Sequence, residues 1–98
     1  MPDKQDIPES AGIGFRLDMW LWQARFFKSR AVAADRCRSG YLRRNGQPVS
    51  RAAAMVHLGD ILTIPLHGQV RVVRVLAFGT RRGPANEAAT LYDDIPAP

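Results

Sequence analysis

Nine cationic side chains fall between residues 16 and 51: Arg16, Arg25, Lys28, Arg30, Arg36, Arg38, Arg43, Arg44 and Arg51. Only Asp18 and Asp35 oppose them, a net +7 that exceeds the +5 of the whole 98-residue chain. Residues 1–15 sum to −2 and residues 52–98 to zero, so the excess belongs to one region. Arginine outnumbers lysine twelve to two. Its planar fork matches two phosphate oxygens at once, where an ammonium offers a point charge. Positive charge this concentrated, on a segment patterned as ordered structure, implies a polyanionic partner and above all nucleic acid.

Other chemistry fails by inventory. His57 and His67 stand ten residues apart with a single cysteine, Cys37, far upstream, which is no zinc spacing. Both histidines read as loop residues. Asp18 reads as support for the start of a helix or a partner for Arg16 rather than as a base, and Asp60, after Gly59, reads as a turn residue. There is no glycine-rich phosphate loop, Ser/His/Asp set or pair of carboxylates, so neither an enzyme nor a bound cofactor or metal is expected.

The elements that must hold the cations in place are legible in part. Leu17, Trp20, Leu21 and Ala24 repeat at helical spacing and predict a helix to about Phe26. Ser29 is a candidate N-cap for a second helix. That helix turns Val32, Ala33 and Cys37 inward and ends at Gly40. The pair therefore covers about Leu17 to Ser39. Leu42 to Asn45 reads as extended, Asn45-Gly46 as a tight turn, and Val49 resumes the chain. After a loop from Ser50 to Gly59, two strands, Asp60 to Pro65 and Val70 to Ala77, join around Gly68. The adjacent Val72 and Val73 suggest a bulge. Leu42, Ile61, Ile64, Val72 and Val75 are the expected sheet partners of the helical core. Pro84 suits the first position of a short helix carrying Ala85, Ala88, Ala89 and Tyr92, after which the chain frays. Met19, Trp22 and Phe26 form a second stripe on the first helix, available for base stacking or for packing under the C-terminal helix. Packing is favoured, because an exposed row of that kind promotes aggregation.

Length sets the frame: one α+β domain, with a flexible tail at 1–14, a binding domain at 15–78 and an extension at 79–98. No apolar run approaches the ~20 residues that span a bilayer, the N-terminus is unlike a secretory signal, and a lone cysteine forms no internal disulfide. A cytoplasmic monomer is expected, with no room beyond residue 95 for a catalytic domain.

Residues Arg16-Leu17-Asp18…Leu21, Ser29-Arg30…Ala33…Cys37, Gly40, Leu42, Asn45-Gly46 and Val56…Gly59-Asp60-Ile61 follow the order and spacing of a known module. In this the chain resembles the S-four (alpha-L) RNA-binding domain. The run RLDMWLWQARFFKSR and the later Arg81-Arg82…Pro84-Ala85…Glu87-Ala88…Leu91-Tyr92 extend the likeness to the small heat-shock protein 15 family, over about residues 15 to 95. The resemblance implies two helices packed on a small, largely antiparallel sheet, with RNA bound across the helix pair and the Asn45-Gly46 hairpin. It further implies large-subunit ribosomal RNA and the ribosome as partners, with peptidyl-tRNA nearby, in the rescue of stalled subunits. The RNA face it implies is Arg16, Arg25, Lys28, Ser29, Arg30, Arg43, Asn45 and Arg51, to which Arg44 adds a charge where the family usually places an apolar or aromatic residue. Cys37 likewise replaces a larger aliphatic residue, and the chain ends soon after Tyr92 without a long basic tail. A helix-turn-helix DNA regulator is the alternative, but the second helix lacks the amide and hydroxyl side chains of a base-reading face.

Overall fold

The computed structural model describes residues 14–96, which set two helices against one face of an antiparallel sheet. Of the expected N-terminal tail, residues 1–13 lie outside the described residues. The order is β1 (Phe15–Arg16), α1 (Leu17–Gln23), α2 (Arg30–Arg38), β2 (Arg43–Arg44), β3 (Gln47–Pro48), β4 (Met55–Val56), β5 (Ile61–Leu66) and β6 (Gln69–Val75). A short α3 (Ala85–Ala88), a 3₁₀ turn (Ala89–Leu91) and β7 (Tyr92–Asp94) complete it. Strands β3-β2-β5-β6-β7 form one sheet, and β1 pairs with β4 as a separate ribbon. No helix among the described residues is long and apolar enough to cross a membrane.

The helical stripe is buried as its spacing predicts: Leu17, Trp20, Leu21, Ala24, Ala33 and Cys37 all lie in the core. Helix α1 nevertheless ends at Gln23, not near Phe26. Arg25 adopts a left-handed φ of 65°. The Arg25 N–H donates to the Trp22 carbonyl (3.1 Å) and the Phe26 N–H to the Leu21 carbonyl (3.0 Å), closing the helix as a glycine ordinarily would. Phe26, released from the helix, packs on Trp20 at 5.9 Å and Tyr92 at 4.8 Å between ring centroids. Trp22 sits half-buried under the Arg82 guanidinium, 5.8 Å from its ring centre. Phe26 and Trp22 of the second aromatic stripe are thus packed against the chain itself.

Ser29 caps α2, its Oγ accepting from the Val32 N–H at 3.1 Å. Asn45 and Gly46 both take positive φ, 52° and 81°, the pair that a two-residue hairpin with matching twist demands. The sheet differs from expectation in phase. Leu62, Ile64, Val73 and Val75 face the helices, while Ile61 and Val72 are only half-buried on the far side. The β5–β6 ladder runs unbroken from Ile61↔Arg74 to Leu66↔Gln69, so there is no bulge. The far face, with Ile61, Thr63 and Pro65, is itself apolar enough to receive Val72 without one. Two further expectations are corrected at the C-terminus. Pro84 stands one position before the helix, as its N-cap. Tyr92 leaves the helix and, with Asp93 and Asp94, which were expected to fray, pairs with Val73–Val75 as an edge strand.

The entry to α1 is held by charge. Asp18 is 3% exposed, and its carboxylate accepts from Arg16 Nε (3.0 Å), Arg16 Nη2 (2.7 Å) and the Met19 N–H (2.7 Å). Burial pushes this carboxyl up. The Arg16 fork, the Met19 N–H and the charges of Arg16 and Arg30 outweigh it and hold the pKa below the ordinary carboxylate value. A lowered pKa contributes stability that is present above the unfolded value of about 3.9 and lost as pH falls through the folded one. Asp18→Asn is therefore expected to lower the melting temperature at neutral pH and to shrink the difference from wild type in strong acid, checked by melting curves across pH. Leu21→Ala should cost ~2–5 kcal/mol in urea unfolding, as a cavity in a small core; a loss below ~0.5 kcal/mol would remove Leu21 from the core.

Candidate nucleic-acid interface

The fold divides the basic residues into those it uses and those it leaves open. Arg16 is tied to Asp18 and Arg38 to Asp35. Arg71 is bound to Asp94 at 2.7 Å and lies over the rings of Phe26 and Tyr92, which makes it part of the packing. Arg25 donates from Nε to the Gly83 carbonyl (2.7 Å), and Arg82 from Nε to the Trp22 carbonyl (3.1 Å). These two bonds interlock the α1–α2 corner with the extension. Because each uses only Nε, the outer nitrogens of both forks stay available.

The corner itself is the open part. Lys28 and Arg30 are exposed and have no ion-pair partner among the described residues. Between them Ser29 satisfies the third amide of α2 through its hydroxyl, and its carbonyl accepts from the Ala33 N–H. Helix geometry leaves the Arg30 and Ala31 amides without an intrahelical acceptor. Two exposed cations therefore flank the positive end of a nine-residue helix, where an anion is favoured. Arg16, fixed by Asp18, belongs to the same neighbourhood, since Asp18 feels the charges of both Arg16 and Arg30.

The hairpin residues fare differently. Asn45 spends its side chain internally: Nδ2 donates to Asp60 Oδ1 (3.0 Å) and Oδ1 accepts from the Ile61 N–H (2.8 Å). Asp60 Oδ2 also accepts from the His57 N–H at 2.8 Å, so it is the turn residue that it looked to be. Asn45 shapes the hairpin more than it presents an amide. Arg44 pairs with Leu62 on the helix side of the sheet and donates to the Met55 carbonyl. Together with Asn45, Arg51, His57 and Asp60 it lines a hollow of about 550 Å³, where Arg51 is exposed. Arg43 pairs with Thr63 and Pro48, so alternation turns it to the face away from the helices. The nine predicted positions are thus not one patch. Arg16, Arg25, Lys28, Ser29 and Arg30 gather around the corner, Arg44, Asn45 and Arg51 gather at the hollow, and Arg43 stands apart.

Arg36 and Arg82 were absent from the expected set. Arg36 stands one turn beyond Val32 on α2, a helical spacing visible in the sequence. No local signal marks Arg82, whose contact with Trp22 spans sixty positions.

Comparison with known proteins agrees with this geometry. The S4 domain model matches residues 15–62, from β1 into β5. Heat shock protein 15 of Escherichia coli (strain K12) is 41% identical over 88 residues, covering 90% of this chain and 65% of the relative. The homolog of Aeromonas salmonicida is 38% identical over 82 residues, 84% of this chain and 61% of its own length. The chain thus spans somewhat less than two thirds of these curated relatives. A trimeric structure of Vibrio cholerae heat shock protein 15 superposes with a TM-score of 0.78 at 30% identity, covering 85% of this chain and 83% of that one. Motif order, fold and identity converge, and the chain belongs to the heat shock protein 15 family.

Proposed function

We propose that this protein is a non-catalytic RNA-binding protein that works at the ribosome in the cytoplasm, docking through the α1–α2 corner. The observation that carries the reading is that exposed Lys28 and Arg30 flank the open amides at the start of α2, within the segment that matches the S4 domain. Arg16 and Arg25 flank that spot, oriented by Asp18 and Gly83, so their forks lose less freedom when they meet phosphate. Arg44 and Arg51 supply a second contact zone at the hollow shaped by Asn45, and Arg43, on the other face of the hairpin, meets RNA only where it wraps past the turn. The finer reading is that the RNA is large-subunit ribosomal RNA and that the protein takes part in rescuing stalled subunits, next to peptidyl-tRNA. The family relation and the net +7 of residues 16–51 support it. The DNA-regulator alternative is not favoured: the exposed residues of α2 are Arg30, Ala31, Asp35, Arg36 and Arg38, without an amide to read a base edge.

Binding to purified large and small subunits, followed by crosslinking and sequencing of the attached RNA, tests the ribosomal assignment; preference for the small subunit would overturn it. Sedimentation of the free protein tests the expected monomer against the trimeric arrangement of the Vibrio relative. With five to seven phosphates met, log K against log salt is expected to slope at about −3.5 to −6, and a slope shallower than about −2 would remove electrostatics as the main term. Arg30→Ala should weaken RNA binding several-fold with an unchanged melting temperature. Arg43→Ala should do less, and Arg74→Ala, exposed on β6 and outside both zones, least. Equal losses at all three, read by titration, would reduce the interface to diffuse net charge.

A further inference from the structure

A groove of about 740 Å³ opens between α2 and the β5–β6 turn, outside the two contact zones already described. One wall is Lys28, just before the Ser29 cap, together with Val32 and Arg36, which stand four apart on one side of α2. The opposite wall is the turn, with Pro65, Leu66 and Val70 and with His67 at its tip. Phe26 and Phe27 close the floor. Three features stand out. No acid lines the groove, and Lys28 and Arg36 have no ion-pair partner among the described residues. Val70, paired with Pro65 near the end of the ladder, is 61% exposed at the rim of the groove. Lys28 belongs at once to this groove and to the corner, so the two surfaces are continuous.

We propose that the groove is a second RNA subsite, taking a short unpaired segment whose base lies on the apolar walls while Lys28 and Arg36 hold the flanking phosphates. The inference rests on the RNA reading above and extends it from phosphate contact to recognition of single-stranded structure. Lys28 stands before the Ser29 cap and Arg36 near the far end of α2, so the two cations reach the groove from separate points, which suits phosphates on either side of an extruded base rather than a single anion. The volume falls within the roughly 300–1,000 Å³ of sites that enclose small organic groups. An acidic, apolar peptide shares part of this chemistry. Continuity favours RNA, because a strand leaving the corner at Lys28 runs directly into the groove. Binding in such a site gains from stacking and apolar contact that every base can make, and so tolerates sequence variation.

The test uses two fluorescein-labelled RNA hairpins that differ only in a three-adenosine bulge, titrated by anisotropy against the wild type, Arg36→Gln and Val70→Glu. Both positions are exposed, so the folded state should survive, and melting curves verify it. Each variant is expected to lose about tenfold in affinity for the bulged hairpin, equivalent to ~1.4 kcal/mol, and under about twofold for the fully paired one. Equal losses on both hairpins, or none on either, would overturn the groove while leaving RNA binding intact. A wild type that binds neither hairpin would instead sink the RNA reading itself. Methyl NMR supplies a further readout: Val32 and Val70 signals should shift with the bulged RNA. Shifts with a Glu/Leu-rich peptide and not with RNA would assign the groove to a protein partner and overturn the proposal.

Discussion

Trp20 is the residue through which the separate pieces of this small fold become one. It is completely buried, and its indole N–H donates to the Ala77 carbonyl at 2.9 Å, across fifty-seven positions of sequence. A buried indole needs such an acceptor, so the bond fixes both the ring and the strand exit that it reaches. The ring also meets Phe26 from the α1–α2 corner and Tyr92 from the edge strand. Helix, corner, linker and C-terminal strand therefore share one aromatic cluster, closed from outside by the Arg71 guanidinium. The segment after residue 78 is bound into the core rather than appended to it.

That constraint governs how the positive charge is displayed. A chain with twelve arginines and a small sheet ties part of its guanidinia to its own carbonyls and carboxylates. It uses several as connectors: Arg25 to Gly83, Arg44 to Met55, Arg82 to Trp22. Each bond satisfies a carbonyl at the end of an element or in a loop, and each orients a fork whose remaining nitrogens still face water. Of the cations without a partner among the described residues, Lys28, Arg30, Arg36 and Arg51 lie in the basic segment and Arg74 stands apart on β6. Counting charges along the sequence locates the region, while the pattern of internal bonds decides which of its members are poised.

What could be read from the sequence was whatever local geometry decides. The stripe Leu17, Trp20, Leu21, Ala24 follows from helical periodicity, the Ser29 cap from its hydroxyl, and the hairpin from the tolerance of Asn45 and Gly46 for positive φ. The RNA-face assignment of the corner residues came instead from the family resemblance. Features set by distant partners were not legible. Arg25 takes the left-handed position that stops α1, a place glycine normally fills, and its Nε is held by Gly83 from the far end of the chain. The phase of β5 and β6 depends on which face meets the helices, and with valines adjacent and both faces apolar, alternation alone does not choose. The amide of Asn45 looked available until Asp60 and Ile61 were brought beside it. β7 exists only because Val73 to Val75 offer it an edge.

Cys37 carries one more consequence. It lies at 0% exposure on the inner side of α2, and burial first of all, with the Asp18 charge adding to it, pushes its thiol up to about 11. The thiolate is the form that oxidants and electrophiles attack, so at neutral pH the folded chain keeps its one sulfhydryl chemically quiet. Reactivity returns only when α2 lifts off the sheet. The cysteine is thus a native label for opening: the rate at which an alkylating reagent consumes it counts the excursions of the helix pair, and ligands gripping that pair would slow the clock.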